Sequence, residues 1–207
     1  SQDEDGYIGI YSKDLRYNFK SENGELWAKT TMYRGLLAYY EFSQDKKLFE
    51  VIEKAINNVM VNYPIGKSSP FYSGENFNAG VSHGLTFTDV LDKMYQITGD
   101  KKYIEYAQFL YLDFCKTYQS EKDAKLENIF NPDYKLQSHG VHTYEHLRPL
   151  LVASYSSYNP ELQKALEEMK LTVISAELEW IPTTTVPVSD EQAEDISKLI
   201  ERLEEDE

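Results

Sequence analysis

A helical pattern recurs in this sequence at an interval of 55 residues, and the recurrence constrains the fold more than any other feature. A period of about 55–60 residues that contains two helices is typical of stacked helical hairpins, arranged as an open solenoid or as a closed toroid. The alternative is three unrelated hairpins, and the shared Asp-Lys-Lys run argues against it. The recurring residues are Leu36, Tyr40 and Asp45-Lys46-Lys47 in the first copy and Leu91, Tyr95 and Asp100-Lys101-Lys102 in the second; a looser third copy begins at Leu151.

Apolar residues follow the helical spacing of three and four positions through most of the chain. Asp45 and Asp100 are predicted N-caps, because a carboxylate there accepts the free amide hydrogens of the next helix. Residues 7–11 are predicted to form a strand-like, extended arm. The pattern predicts six main helices, over 27–43, 46–62, 85–98, 101–118, 143–158 and 160–176.

Two long connections separate the hairpins, at 63–84 and 119–142. Each exceeds about twenty residues, and loops of that length in compact domains are usually functional or disordered. Because both occupy the same place in the repeat, we predict that they emerge at the same end of the assembly.

Both connections end in Ser-His-Gly followed by an apolar residue. His83 and His139 are equivalent in the repeat, and an acid follows each of them six positions later, Asp89 and Glu145. A helix N-terminus favours a neutral imidazole, which can hydrogen-bond a sugar hydroxyl, and a nearby acid can transfer protons. The alternative is that the histidines cap helices and the acids are solvated. The predicted site comprises Glu145 as the catalytic residue and, for substrate binding, His83, His139, His142, Asp89, Trp27 and Tyr72.

The second copy also contains His142-x-x-Glu145-His146, the spacing of inverted zinc proteases. That chemistry needs a third ligand further along the chain, and none of the downstream acids is distinguished by its sequence. Three histidines within eight residues can still bind a metal incidentally. The site is therefore predicted to contain no metal ligand.

The charge of the chain is strongly negative, with a formal net charge of −14 over 207 residues. Binding to phosphates requires a basic face, so we expect no nucleic-acid partner, and no apolar run is long enough for a membrane span. Half of the charge lies in residues 190–207, where nine acids stand against Lys198 and Arg202. Cys115 is the single cysteine and is expected to be a buried, inert thiol.

Several segments, in this order, resemble glycoside hydrolase family 127, the bacterial β-L-arabinofuranosidase-like proteins. Helical-hairpin signatures are only moderately specific, and the order of the segments carries the resemblance. It covers about residues 1–191. The segments are Gln2–Gly9, Leu36–Glu41 with Asp45–Lys47, Met94–Tyr103, Ser138–His142, and Trp180–Thr183 with Ser189–Glu191.

The resemblance implies an (α/α)6 toroid that cleaves β-L-arabinofuranosides with retention, using a cysteine nucleophile held by zinc. The Glu-x-Cys and paired-cysteine elements of that family have no counterpart here, and Cys115 does not match them. We therefore expect an all-α fold of helical hairpin repeats that resembles an incomplete (α/α)6 toroid. Residues 1–188 would form about three hairpins, and 189–207 an acidic C-terminal helix or tail.

The function expected from the sequence is that of a glycoside-hydrolase-like protein that acts on or binds L-arabinofuranoside-type glycans, with catalysis by this chain alone left open. The rival is a non-catalytic helical-repeat module that binds protein or glycan. No cofactor is expected within this chain, although zinc is expected for the full-length family. Carbohydrate is the expected partner, in a bacterial periplasmic or secreted protein. The remaining toroid, a partner chain or a second copy would cover the open apolar faces.

Overall fold

The computed structural model describes residues 2–17, 24–72, 79–157, 160 and 162–164. All of them belong to the unit Ser1–Glu167. The predicted C-terminal helix 189–207, the boundary at 188 and most of the predicted helix 160–176 lie outside the described residues. Within those residues the structure is all-α and contains no strand, which confirms the predicted fold class.

Seven α-helices and one short 3₁₀ helix lie within residues 24–157, and residues 160 and 162–164 are also helical. The four helices of the first two hairpins begin and end within about two residues of the predicted positions. Residues 7–11, expected to be strand-like, are irregular instead. The elements are α1 Glu25–Ser43, α2 Lys46–Asn62, α3 Ala79–His83, the 3₁₀ helix Gly84–Thr86, α4 Phe87–Thr98, α5 Lys101–Lys116, α6 Leu126–Ile129 and α7 Gly140–Ser157.

The helices pack as stacked hairpins. Helix α1 pairs with α2, and α4 pairs with α5. The first helices of successive repeats lie side by side, because α4 contacts α1 on one flank and α7 on the other. Helix α7 also packs against α5 and continues through Pro149, which is buried. These contacts establish the hairpin stack, and the toroid stays a prediction.

The turn between the two helices of a hairpin repeats its backbone conformation and its capping at the 55-residue interval. Gln44 and Gly99 both adopt the left-handed conformation, at φ 56° and 70°, and both close the preceding helix. The following aspartates, Asp45 and Asp100, cap the next helix as predicted: each side chain accepts the backbone N–H two residues further on, at 2.9 and 3.0 Å. The sequence repeat is therefore a structural repeat.

The two long connections meet beside α5, as their equivalent positions in the repeat predicted. The side chain of Gln119 donates a buried hydrogen bond of 3.0 Å to the carbonyl of Phe71. The carboxylate of Asp113, on α5, accepts from the Phe71 N–H at 2.9 Å and from the Ser69 hydroxyl at 2.7 Å. The middle of the first connection and the start of the second thus meet at the C-terminal part of α5.

Tyrosines supply much of the core. A buried tyrosine needs a partner for its hydroxyl, and here two of these hydroxyls donate to backbone carbonyls of the connections. Tyr106 donates to Tyr63 at 2.9 Å, and Tyr111 donates to Ala124 at 2.7 Å. The buried tyrosines of the described residues are Tyr7, Tyr33, Tyr63, Tyr103, Tyr106 and Tyr111.

A buried ion pair on α1 binds the N-terminal segment, residues 2–17, to this helix. Lys29 and Glu25 are each 1% exposed and lie 3.0 Å apart. The Lys29 ammonium also donates to the carbonyl of Ile8 at 2.7 Å and lies 3.7 Å from the centre of the Tyr7 ring. Burial lowers the pKa of Lys29, although the Glu25 carboxylate opposes this shift.

None of the helices in the described part of the chain is both long and apolar enough to cross a membrane.

Candidate functional site

Five of the predicted site residues come together at one end of the hairpin stack. The Trp27 ring stacks on His83, with centroids 4.3 Å apart and planes 24° apart. His142 meets His83 edge-on at 4.1 Å, and His139 lies 4.9 Å from His142. The Glu145 carboxylate lies 3.2 Å from Nδ1 of His83. These five residues, with Glu121 described below, are named the histidine cluster.

The close approach of two elements places Trp27 against His83. His83 ends α3 rather than starting a helix, and Gly84 follows it directly. A Cβ on Gly84 would lie 3.0 Å from the Cβ of Leu26, the neighbour of Trp27 on α1. This approach explains the glycine at position 84, because a side chain there would press against Leu26 of α1.

Glu121 is the member of the histidine cluster that the sequence analysis missed. It lies in the connection between α5 and α6, and its Oε1 contacts Nδ1 of His142. Its second oxygen, Oε2, accepts a hydrogen bond of 3.2 Å from the Ser82 hydroxyl. Glu121 precedes His142 by 21 positions, so no local motif joins them, and only tertiary packing reveals the pair.

Asp123 anchors the connection that carries Glu121. Its carboxylate is 1% exposed and accepts four hydrogen bonds. Burial alone would raise the pKa of Asp123, but these hydrogen bonds hold it below its ordinary value. The Asp123 carboxylate therefore ties the connection to the start of α7. The donors are the Tyr134 hydroxyl at 2.7 Å, the Thr143 hydroxyl at 2.7 Å, and the N–H groups of Gln137 and Ser138 at 3.0 and 3.1 Å.

Two predicted residues have other surroundings. Asp89 lies between two arginines: it contacts Arg34 on α1, and its Oδ2 lies 3.1 Å from Arg148 on α7. Its repeat equivalent, Glu145, instead contacts His83, so the two copies of the motif have diverged. Tyr72 is 68% exposed at the end of a described range. The binding roles of Asp89 and Tyr72 stay predictions.

His146, the last residue of the zinc-protease-like motif, is buried against other groups. Its Nε2 lies 3.1 Å from the carbonyl of Ser82, and its ring packs edge-on to Phe114. Burial lowers the pKa of His146 to about 4, so the ring is neutral at neutral pH. In the protease arrangement, both histidines of the motif bind the same zinc ion. Here His142 contacts Glu121 and His83, whereas His146 contacts Ser82 and Phe114, so the protease arrangement is not present.

One group in the described part of the chain could hold a metal ion. His83, Glu121 and His142 each offer one ligand atom, and these atoms lie within 4.8 Å of one another. The zinc–cysteine centre implied by the family resemblance does not fit the residues present. The sequence has a single cysteine, Cys115, and burial raises the pKa of its thiol. A thiol kept protonated is a poor zinc ligand.

The fold and this site define an all-α repeat protein with a histidine- and carboxylate-rich cluster between its hairpins. Residues 1–157 match the family described as Beta-L-arabinofuranosidase, GH127 catalytic domain. Because this match covers more than half of the chain, the chain belongs to that family. No solved structure matches.

The C-terminal part is similar to a second family. Residues 136–207 match the family described as TACO1/YebC second and third domain. A probable transcriptional regulatory protein of Anaeromyxobacter dehalogenans is 42% identical over 36% of this chain and 32% of its own length. Another, from Porphyromonas gingivalis, is 36% identical over 48% of this chain and 41% of its own length. The chain thus spans about a third of the length of the first of these relatives.

These relatives overturn the expected function. The prediction that the protein acts on or binds L-arabinofuranoside-type glycans is wrong, as is the prediction of a carbohydrate partner without nucleic acid, because the curated relatives are named as transcriptional regulators. Membership of the GH127 family rests on residues 1–157, named here the helical body. Proteins that share a fold can have different activities, so this membership does not establish glycoside hydrolysis. The exclusion of nucleic acid rested on charge, and charge gave no sign of the similarity to regulators, because residues 136–207 hold fifteen acids against five basic residues.

Proposed function

We propose that this chain is a transcription-regulatory protein whose regulatory function lies in residues 136–207. The observation that supports the proposal is the similarity of this segment to the TACO1/YebC second and third domain, together with relatives named as probable transcriptional regulatory proteins. On this proposal, the hairpins of the GH127-type body present the regulatory segment rather than hydrolyse a glycoside.

The described contacts give the proposal a physical basis at α7. Residues 140–157 of this helix belong to both family matches. The same helix carries His142 and Glu145 of the histidine cluster and packs against α4 and α5. The start of the regulatory segment is therefore part of the core of the helical body, so the two parts share a structural element.

Transcript profiling tests the proposal in the cells that produce the protein. We expect loss of the chain to change the abundance of a defined set of transcripts. Re-expression of the full chain should restore them, whereas a variant that ends at Ser157 should not, because it lacks most of residues 136–207. The control is a far-ultraviolet circular dichroism spectrum that shows the shortened variant to be helical. Unchanged transcripts, or equal restoration by a helical shortened variant, would contradict the proposal.

A further inference from the structure

We propose that His83, Glu121 and His142 form a binding site for one divalent transition-metal ion, with zinc as the natural probe. The inference goes beyond the regulatory function and does not depend on it. It also departs from the sequence-based expectation that the site contains no metal ligand. The observation that carries it is the convergence of one ligand atom from each residue to within 4.8 Å.

The donor set selects the class of metal. Two imidazoles and one carboxylate suit zinc and neighbouring transition metals, whereas magnesium and calcium prefer sites made of oxygen alone. Three protein ligands also leave one position of a tetrahedral zinc site for water. On binding, Nδ1 of His142 and Oε1 of Glu121, which contact each other directly, would move apart to admit the ion, because zinc–nitrogen and zinc–oxygen bonds are about 2.0–2.2 Å long.

Neighbouring side chains hold the ligands as the outer residues of metal sites do. Glu145 contacts Nδ1 of His83 at 3.2 Å, which leaves Nε2 as the donor atom for a metal. The Ser82 hydroxyl contacts Oε2 of Glu121 at 3.2 Å, which leaves Oε1 beside His142. Such outer hydrogen bonds orient metal-binding imidazoles and carboxylates and raise their affinity.

The burial of the ligands distinguishes this group from a chance arrangement of surface residues. His83 and Glu121 are buried, and His142 is partly buried. Trp27 covers one face of the His83 ring. A metal there would lie between two connections and α7, held by elements that are distant in sequence and fixed by the hairpin core.

Titration of the full-length chain with zinc, after treatment with a chelator, tests the site. Isothermal calorimetry should show one zinc ion bound per chain. The variants His142→Gln and Glu121→Gln each remove a ligand and should weaken binding more than about 100-fold, whereas Glu145→Gln should weaken it about 10–100-fold because it removes an outer hydrogen bond.

Two controls separate this site from incidental binding. Glu127→Gln changes an exposed acid of α6 and should bind zinc as the wild type does. His139→Gln changes the exposed member of the histidine cluster, which is not one of the three proposed ligands, and should have a small effect. No zinc bound by the wild type, unchanged affinity in Glu121→Gln and His142→Gln, or an equally large loss in His139→Gln would overturn the proposal.

X-ray absorption spectroscopy of the zinc-loaded wild-type chain tests the site without any variant, so misfolding of a variant cannot affect the result. The proposal predicts nitrogen and oxygen neighbours at about 2.0–2.2 Å, with the scattering pattern of two imidazoles. A sulfur neighbour at about 2.3 Å would place the metal on Cys115 and would overturn the assignment.

Discussion

Asp123→Asn is expected to lower the free energy of unfolding by about 3 kcal/mol, because hydrogen bonds to a buried charged group are worth about 1.5–3 kcal/mol each and the amide reverses part of the set. Each carboxylate oxygen of Asp123 accepts two hydrogen bonds. An asparagine side chain would direct its NH2 group at two of these donors. Urea denaturation followed by circular dichroism measures the loss.

The pH dependence of this loss has a defined sign. The pKa of Asp123 is lowered in the folded protein, so the unfolded chain takes up the proton first as the pH falls. The stabilisation by the carboxylate is therefore complete above the ordinary pKa of about 4 and is lost below it. We expect the difference between the wild type and Asp123→Asn to shrink as the pH falls through this range.

A neighbouring acid provides the control for Asp123. Asp133 lies in the same connection and is exposed, so Asp133→Asn should change stability by no more than about 0.5 kcal/mol. Equal stability of Asp123→Asn and Asp133→Asn, or a difference that grows at low pH, would show that the carboxylate does not anchor the connection.

Lys29→Met is expected to destabilise the protein by about 3–5 kcal/mol, because removing one partner of a buried ion pair leaves the other charge uncompensated. Glu25 would remain buried with the hydroxyl of Tyr7, 2.8 Å away, as a hydrogen-bond donor but without its counter-ion. The carbonyl of Ile8 would lose the ammonium that binds it. The N-terminal segment should therefore loosen together with the start of α1, as hydrogen exchange at its amides would show.

The double variant Lys29→Met with Glu25→Gln separates the charge effect from the packing effect. Glutamine keeps an oxygen that accepts from Tyr7, and no uncompensated charge remains. We expect the double variant to be more stable than Lys29→Met alone, so that the two changes are not additive. Lys47→Met, on an exposed lysine of α2, is the control and should be close to neutral. An additive double variant would refute the coupling of the pair.

The parts of the fold that depend on interactions between residues close together in the sequence could be predicted. The apolar spacing defined four helices, and the caps Asp45 and Asp100 followed from side-chain chemistry within a few residues. Both hairpin turns have the same backbone conformation and the same aspartate cap, which explains why the repeat can be recognised in the sequence.

The site was predictable only in part, because its geometry depends on contacts between distant segments. Its histidines stood out through the repeated Ser-His-Gly, and the structure brings three of them together with Trp27. Glu121 gave no signal, since its partners lie 39 positions before it and 21 positions after it. The repeat suggested equal roles for Asp89 and Glu145, but two arginines of neighbouring helices surround Asp89 alone.

The function was misjudged because the charge of the chain did not indicate it. Residues 136–207 carry −10 of the net charge of −14, so the segment that is similar to regulators is more acidic than the helical body. The similarity to regulators lies in residues 136–207, which the sequence analysis treated mainly as helix and acidic tail.

Chromatin immunoprecipitation of the full chain, after cross-linking in the cells that produce it, tests most directly whether the protein regulates transcription. We predict recovery of discrete DNA regions near the genes whose transcripts respond to the chain, and loss of this recovery in the variant that ends at Ser157. DNA recovery from the full chain no greater than from that shortened variant would contradict it.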